Sequence, residues 1–247
     1  MLVPLLTLAF GVDFRYAVGA SLVSVIATSS GAAAAYVREG YTNVRVGMFL
    51  EVATTVGAVV GAGLAAAIST SALAIVLGVV LVYSAYLSVR PRPEHVVRTP
   101  DPLAARLRLD GSYPTPEGDR EYHVQHVPLG FGLMFGAGAL SGLLGIGSGA
   151  VKVLAMDQAM CLPFKVSTTT SNFMIGVTAA ASAGIYLARG YIDPGIAMPV
   201  VLGVLAGATL GSRVLARAAP RTLRVVFGVV IAILGVEMVV HGASGRL

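Results

Sequence analysis

Charge is what this sequence has least of. Asp, Glu, Lys and Arg make up 12% of its 247 residues, where soluble globular chains carry nearer a quarter. With a hydrophobic share of 56% and a mean hydropathy of +0.82, this argues against a water-soluble domain. Cysteine is nearly absent. Cys161 is the single one, which excludes an intramolecular disulfide and any cysteine-rich metal centre. No His-Glu-x-x-His, paired-aspartate or nucleotide motif occurs, and no nucleophile has a histidine partner inside an apolar run. An intramembrane enzyme is therefore disfavoured, and no catalytic residue, resident metal or cofactor is expected. Met1–Phe10 is too short, and lacks the basic leader, for a cleavable signal peptide. The formal net charge of +5 sits in loops, where it orients a membrane chain and does not signal nucleic acid.

What is present is a series of apolar runs, each of ~20 residues, the length that spans a bilayer. They are Ala17–Val37, Val44–Ile68, Ser71–Val89, Pro128–Gly145, Ser167–Ala188, Pro194–Leu215 and Thr222–His241. The expected location is the plasma membrane, with the lipid bilayer as partner and several passes. Gly and Ala dominate these runs, and the pairs Gly57/Gly61 and Gly207/Gly211 have the four-residue spacing of close helix contacts. Tyr36, Tyr41, Tyr83, Tyr86, Tyr186 and Tyr191 lie at run ends, where amphipathic rings favour the headgroup zone.

The runs also repeat. A gapless shift of 150 positions sets Phe14, Ser21, Thr28, Tyr36, Gly40, Tyr41 and Met48 on identical residues at Phe164, Ser171, Thr178, Tyr186, Gly190, Tyr191 and Met198. Gly57-Ala58 with Gly61, and Gly78-Val79-Val80, recur in the same register. Two copies of one hydrophobic unit are a frequent plan of secondary transporters. In this register Met1 falls on Val151, so Pro128–Gly149 has no partner and the first repeat is expected to be incomplete at its N-terminus. The organisation read is residues 1–89 as first membrane repeat, 90–127 as cytoplasmic linker and 128–247 as second membrane repeat.

The linker, Arg90–Val127, is rich in Pro and balances six basic against six acidic residues. It reads as a connector with at most a short ordered turn. His123 and His126, with His95 nearby, lack the further ligands that a metal site needs.

Glycines at alternate positions in Gly145-Ile-Gly147-Ser148-Gly149 break the helix expected before them. The broken segment either spans or turns back. If it turns back, one face collects Arg38, Arg45, the linker arginines, Lys165, Arg213, Arg217, Arg221 and Arg224, and the other keeps only Arg15, Arg189 and Arg246. That asymmetry favours a re-entrant glycine-rich hairpin, a cytoplasmic linker and inverted repeats in an all-α membrane protein.

Polar residues in the apolar runs are few. Thr168, Thr169, Thr170, Ser171 and Asn172 surround the start of a run. They could cap the helix and bond its neighbours, contact a ligand, or do both. Gly145, Gly147, Ser148 and Gly149 expose backbone N–H groups to a ligand or permit tight packing. Lys152 either faces the membrane interior or reaches to the surface. Glu51, inside its run, must be protonated, paired or hydrated. It is the candidate for coupling to an ion, or it sits near the interface.

Ser141-Gly-Leu-Leu-Gly-Ile-Gly-Ser-Gly149 resembles the glycine-rich motif of the TauE/SafE family, the sulfite exporter-like transporters also called the 4-toluene sulfonate uptake permease family. Thr168–Gly176 resembles the motif that follows it, and Ala17-Val-Gly-Ala-Ser-Leu22 is similar to the first-half Ala-Val-Gly-Thr-Ser-Leu. Ser148 and Ala20 depart from the family pattern. The resemblance adds Ser21 to the substrate-binding candidates. It implies a secondary transporter or exporter of small anions such as sulfite, sulfonates or related organic anions, driven by an ion gradient. The rival expectation is a non-transporting membrane scaffold or subunit. A homo-oligomer is compatible with either.

Overall fold

The computed structural model describes residues 1–38, 40–89, 101–115, 118–215 and 220–245. Helices account for most of it. α1 (Leu2–Phe10) ends on Gly11 in the left-handed conformation, which lets the chain reverse into α2 (Phe14–Arg38). α3 (Val44–Leu64) starts at Asn43, whose side chain accepts from Val46 N–H. α4 (Thr70–Val89) closes this half, and the linker brings α5 (Pro102–Arg106) and the strands β1 (Gly111–Thr115) and β2 (Gly118–Tyr122). α6 (Val127–Leu144) runs to the glycine break, and α7 (Gly149–Leu154) continues into a π turn at Ala155–Ala159. The chain finishes with α8 (Phe164–Ala188), α9 (Pro194–Leu215) and α10 (Pro220–Ala243).

Among the described residues, α3, α6 and α8 are long and apolar enough to cross a membrane. The apolar windows Thr70–Tyr86, Pro194–Leu210 and Gly228–Ala243 are shorter. The seven runs read from the sequence coincide with α2, α3, α4, α6, α8, α9 and α10 to within a few residues. α2, α3 and α4 begin at Phe14, Val44 and Thr70, and α8, α9 and α10 begin at Phe164, Pro194 and Pro220, each 150 positions on.

The helices pack in pairs: α3 on α6, α4 on α10, α2 on α8, with α3 also against α8 and α2 against α9. Small residues set the closest pair. A Cβ added at Gly57 or Gly61 would meet the carbonyls of Phe135 and Ala139, and one at Gly138 or Gly142 would meet those of Thr54 and Ala58. α3 and α6 therefore touch backbone to backbone over two turns, and dispersion stands in for the absent hydrophobic drive. The buried side chains form two clusters. One, with Leu22, Leu73, Leu77 and Met238, joins α1, α2, α4, α8 and α10. The other, with Leu50, Met134, Met156 and Met174, joins α3, α6, the π turn and α8 to the linker.

Three expectations need correction. The all-α reading omits the linker hairpin, in which Gly111 pairs antiparallel with Tyr122 and Thr115 with Gly118. The linker is no mere connector, because Ala104, Leu109, Tyr122 and Val124 bury against the α3–α6 cluster. Apolar residues spaced through a Pro-rich polar stretch supplied the anchors. Second, Tyr186 does not occupy a headgroup zone. It is 3% exposed, and its hydroxyl donates to the carbonyls of Gly142 and Leu143 at the end of α6. Those carbonyls have no intrahelical partner, so a phenol there satisfies what the helix end leaves open. Third, Gly207 has nothing within reach of an added Cβ, unlike its counterpart Gly57. His95, in the stretch 90–100, lies outside the described residues, as do Pro116, Arg217 and Arg246.

Candidate functional site

The glycine break is held at both ends by serines. Gly145, with φ 65°, ends α6 by donating its N–H to the Ser141 carbonyl. Gly147 and Ser148 follow at φ 69° and 43°, both left-handed. Ser148 adopts this conformation at a steric cost that glycine would not meet. Ser21 Oγ donates to the Gly145 carbonyl at 2.8 Å, and Ser171 Oγ donates to the Gly149 carbonyl at 3.2 Å. These are the residues that coincide at the 150-position shift. The break thus lies between α2 and α8, with Val18 and Ile175 against its glycines. The hydroxyl of Ser148 is buried and has no hydrogen-bond partner.

Lys152 follows, and its side chain is fully buried. Its ammonium donates to Thr178 Oγ1 in α8. Thr178 Oγ1 donates in turn to Glu51 Oε1 in α3 at 2.7 Å. Thr55 Oγ1 adds a second donor to the same oxygen at 3.1 Å. The other carboxylate oxygen, Oε2, is buried and unpartnered. A hydroxyl has one proton and two lone pairs, so Thr178 can accept from the lysine and donate to the glutamate at once. Charge at membrane depth costs at least about 3 kcal/mol per group unless compensated. The Lys152–Thr178–Glu51 chain supplies that compensation through one bridging hydroxyl. Lys152 does not reach the surface, and Glu51, 7% exposed, is not at an open interface.

The polar run at the start of α8 divides. Thr168 Oγ1 bonds back to the Phe164 carbonyl on an exposed face. Thr169 Oγ1 donates to the Tyr41 carbonyl at 2.9 Å, and Thr170 Oγ1 accepts from Asn43 N–H at 3.0 Å. Both therefore fasten the loop between α2 and α3. Ser171 turns to the break, and Asn172 is half-buried with no side-chain hydrogen bond among the described residues. Ser171 and Ser21 meet Gly145, Gly147, Ser148 and Gly149 at the break, Lys152 reaches Thr178 instead, and Thr169 and Thr170 belong to the loop. Sequence reasoning passed over Thr178 as a site residue. Its signal was a hydroxyl stripe on one face of α8: Ser167, Ser171, Thr178 and Ser182 are all buried.

Asn43 joins the loop to the linker. Its Nδ2 donates to the Leu109 carbonyl at 2.9 Å and to Tyr122 Oη at 2.7 Å. Burial pushes the Tyr122 phenol up to about 12, against a smaller opposing effect of the Asn43 bond. A cleft of about 280 Å³ opens beside it, lined by Tyr41, Asn43, Arg45, Asp110, Ser112 and Tyr122 among others. Among the described residues no cluster of His, Cys, Asp and Glu could hold a metal ion.

The glycine-rich break, the buried lysine beside it and the paired helices describe a membrane protein built around a polar interior. Comparison with known proteins agrees. The family described as Sulfite exporter TauE/SafE matches residues 1–238. The chain belongs to the TauE/SafE family. It is 22% identical over 231 residues to the probable membrane transporter protein YunE of Bacillus subtilis (strain 168), covering 92% of this chain and 82% of that protein. It is 26% identical over 212 residues to the probable membrane transporter protein YdhB of the same organism, covering 85% and 79%. No solved structure matches. The family and these relatives support a multi-pass membrane protein of transporter type.

Proposed function

We propose that this protein is a secondary transporter of small anions, with sulfite, sulfonates and related organic anions as the substrate class, driven by an ion gradient. The observation that carries the reading is Lys152: a fully buried cation three residues after the glycine break and joined through the Thr178 hydroxyl to Glu51. The break itself holds the buried, unpartnered hydroxyl of Ser148, while Ser21 and Ser171 donate theirs to the Gly145 and Gly149 carbonyls and fix its shape. A small oxyanion in a membrane needs donors and a compensating positive charge; Ser148 offers the free donor and Lys152 the charge. Glu51 is the candidate for ion coupling. Thr168, Thr169, Thr170 and Asn172 would act on the substrate through the loop they hold or at the rim of the site.

The reading includes two inverted repeats with a re-entrant hairpin between them and a cytoplasmic linker. The shared helix starts support it. So do two reciprocal contacts. Lys165, at the start of α8, lies 3.5 Å over the Tyr41 ring, and Arg15, at the start of α2, lies 5.5 Å over the Tyr191 ring. Arg15 and Lys165, like Tyr41 and Tyr191, are 150 positions apart, so each half presents a cation to the other half's tyrosine.

Purified protein in liposomes should take up sulfite above the level of empty liposomes. Lys152→Met should bring uptake down to that level while the protein still inserts and purifies as a folded species. Unchanged uptake by Lys152→Met would place the anion elsewhere.

A further inference from the structure

We propose that Lys152, Thr178 and Glu51 form one charge-compensated unit that takes up an anion and a proton together, so that a monovalent anion moves with one proton and no net charge. This rests on the transporter reading above and adds its coupling ion and stoichiometry.

The argument is electrostatic. With Lys152 as an ammonium and Glu51 as a carboxylate, bridged by the Thr178 hydroxyl, the unit is neutral as a whole. An anion that binds Lys152 adds a negative charge to a site already holding Glu51. Two negative charges facing one positive charge in a low-dielectric interior are strongly unfavourable. One proton on Glu51 restores neutrality. Its unpartnered Oε2 is the atom free to receive it, because Oε1 is occupied by Thr178 and Thr55. Protonation also weakens the carboxylate's pull on the Thr178 hydroxyl, which releases the ammonium toward the anion. By linkage, the anion must then raise the site's affinity for the proton as much as the proton raises its affinity for the anion.

No other described charge interferes. α6, packed on α3, carries no titratable side chain between Val127 and Leu144. α8 contributes Lys165, engaged with the Tyr41 ring, and no further charge before Arg189. On α3 itself the other charge is Arg45, at its start, and in the π turn Asp157 accepts from Gln158 Nε2 at 2.8 Å.

The test uses the full chain in liposomes, with sulfite and with methanesulfonate, a monoanion at every pH used. With methanesulfonate, an inside-alkaline gradient should drive about tenfold accumulation per unit of pH difference, since one proton accompanies each anion. An imposed membrane potential should leave that accumulation unchanged. Glu51→Gln should abolish the response to the gradient, so that whatever exchange remains no longer follows pH. Thr178→Val should do the same and Thr178→Ser should restore coupling, a pattern that a merely structural role would not produce. Accumulation that follows the membrane potential, or a Glu51→Gln protein that still follows pH, overturns the coupling and leaves the transporter reading intact. Absence of flux of either anion under every gradient overturns the transporter reading and the coupling with it.

Discussion

Two loops reach across to the opposite half of the molecule, and they do so with different chemistry. The loop at Tyr41 lies on α8. There Thr169 donates to the Tyr41 carbonyl and Lys165 covers the Tyr41 ring. The loop at Tyr191 lies on α2. Gly19 stands where Thr169 stands in the shifted register, and a Cβ on it would run into the Tyr191 carbonyl. Arg15 donates to Tyr191 Oη at 2.9 Å as well as approaching its ring. One seat is made by a hydroxyl that reaches out, the other by a missing side chain that lets the backbone come in. The first loop is also tied to the linker through Asn43, whereas Asp193, its counterpart, bonds the N–H of Gly195 at the start of its own helix. Positions 150 apart can thus keep a contact while changing its mechanism, and the linker loads one side only.

The contrast between the seats is sharpest at Gly19. Gly19→Val must push the Tyr191 loop away and should cost about 3 kcal/mol of stability, as overpacking does. Thr169→Val keeps the shape, loses one hydrogen bond and should cost about 1 kcal/mol. Thermal unfolding of both variants in detergent measures the difference; equal losses would erase the distinction between the two seats.

Next in size is the asymmetry of the caps. Asn43→Ala removes a helix cap and two bonds to the linker, so a loss of about 2 kcal/mol is expected. Asp193→Ala should lose only the cap, about 1 kcal/mol. Protease cleavage in the linker should accelerate for Asn43→Ala alone. Acceleration in both variants would mean that the linker is not held through this residue.

Packing gives a contrast of comparable size between the two halves. Gly57→Ala should destabilise the α3–α6 contact, because its new Cβ meets a backbone carbonyl (about 1–3 kcal/mol is usual for overpacking). Gly207→Ala, in open space, should be neutral or slightly stabilising through lower unfolded-state entropy.

The last contrast shows only at alkaline pH. The Tyr122 phenol ionises near 12 in the folded chain, against about 10 for a tyrosine open to water. Its folded value is raised, so the stability it lends is fully present below about pH 10 and is lost as pH rises through about 12. Phenolate absorbance in Tyr122→Phe against the parent chain assigns this titration, and a difference centred near about pH 10 would mean that the ring is not buried on Asn43.

Much of this was legible in the residues. The seven apolar runs became helices because a chain in lipid must satisfy its backbone bonds locally. The break at Gly145–Gly149 was legible because alternate glycines tolerate left-handed backbone. The candidates Ser21, Ser171 and Gly149 lie together at that break, whereas the Lys152 side chain lies on Thr178. Thr178 escaped notice because a threonine in an apolar helix most often bonds its own preceding turn, and the Met174 carbonyl lies 3.0 Å from its hydroxyl as the alternative acceptor for its one proton. Tyr186 was misplaced because its position near a run end says nothing of which helix end lies opposite. The hairpin was hidden by a composition that reads as connector, although Leu109, Tyr122 and Val124 carry its anchoring.

The sequence by itself determined the membrane environment, the helix boundaries, the position of the backbone break and the family. These follow from hydropathy, local hydrogen bonding and the conformational freedom of glycine, all of which act between near neighbours in the chain. Only the tertiary structure decided that Glu51 and Lys152 share one hydroxyl, that Thr169 and Thr170 serve a loop, and that Gly57 is packed while Gly207 is bare. Those outcomes depend on which helices lie side by side. An identical residue has a different energy beside a carbonyl, beside a charge, or with nothing opposite it.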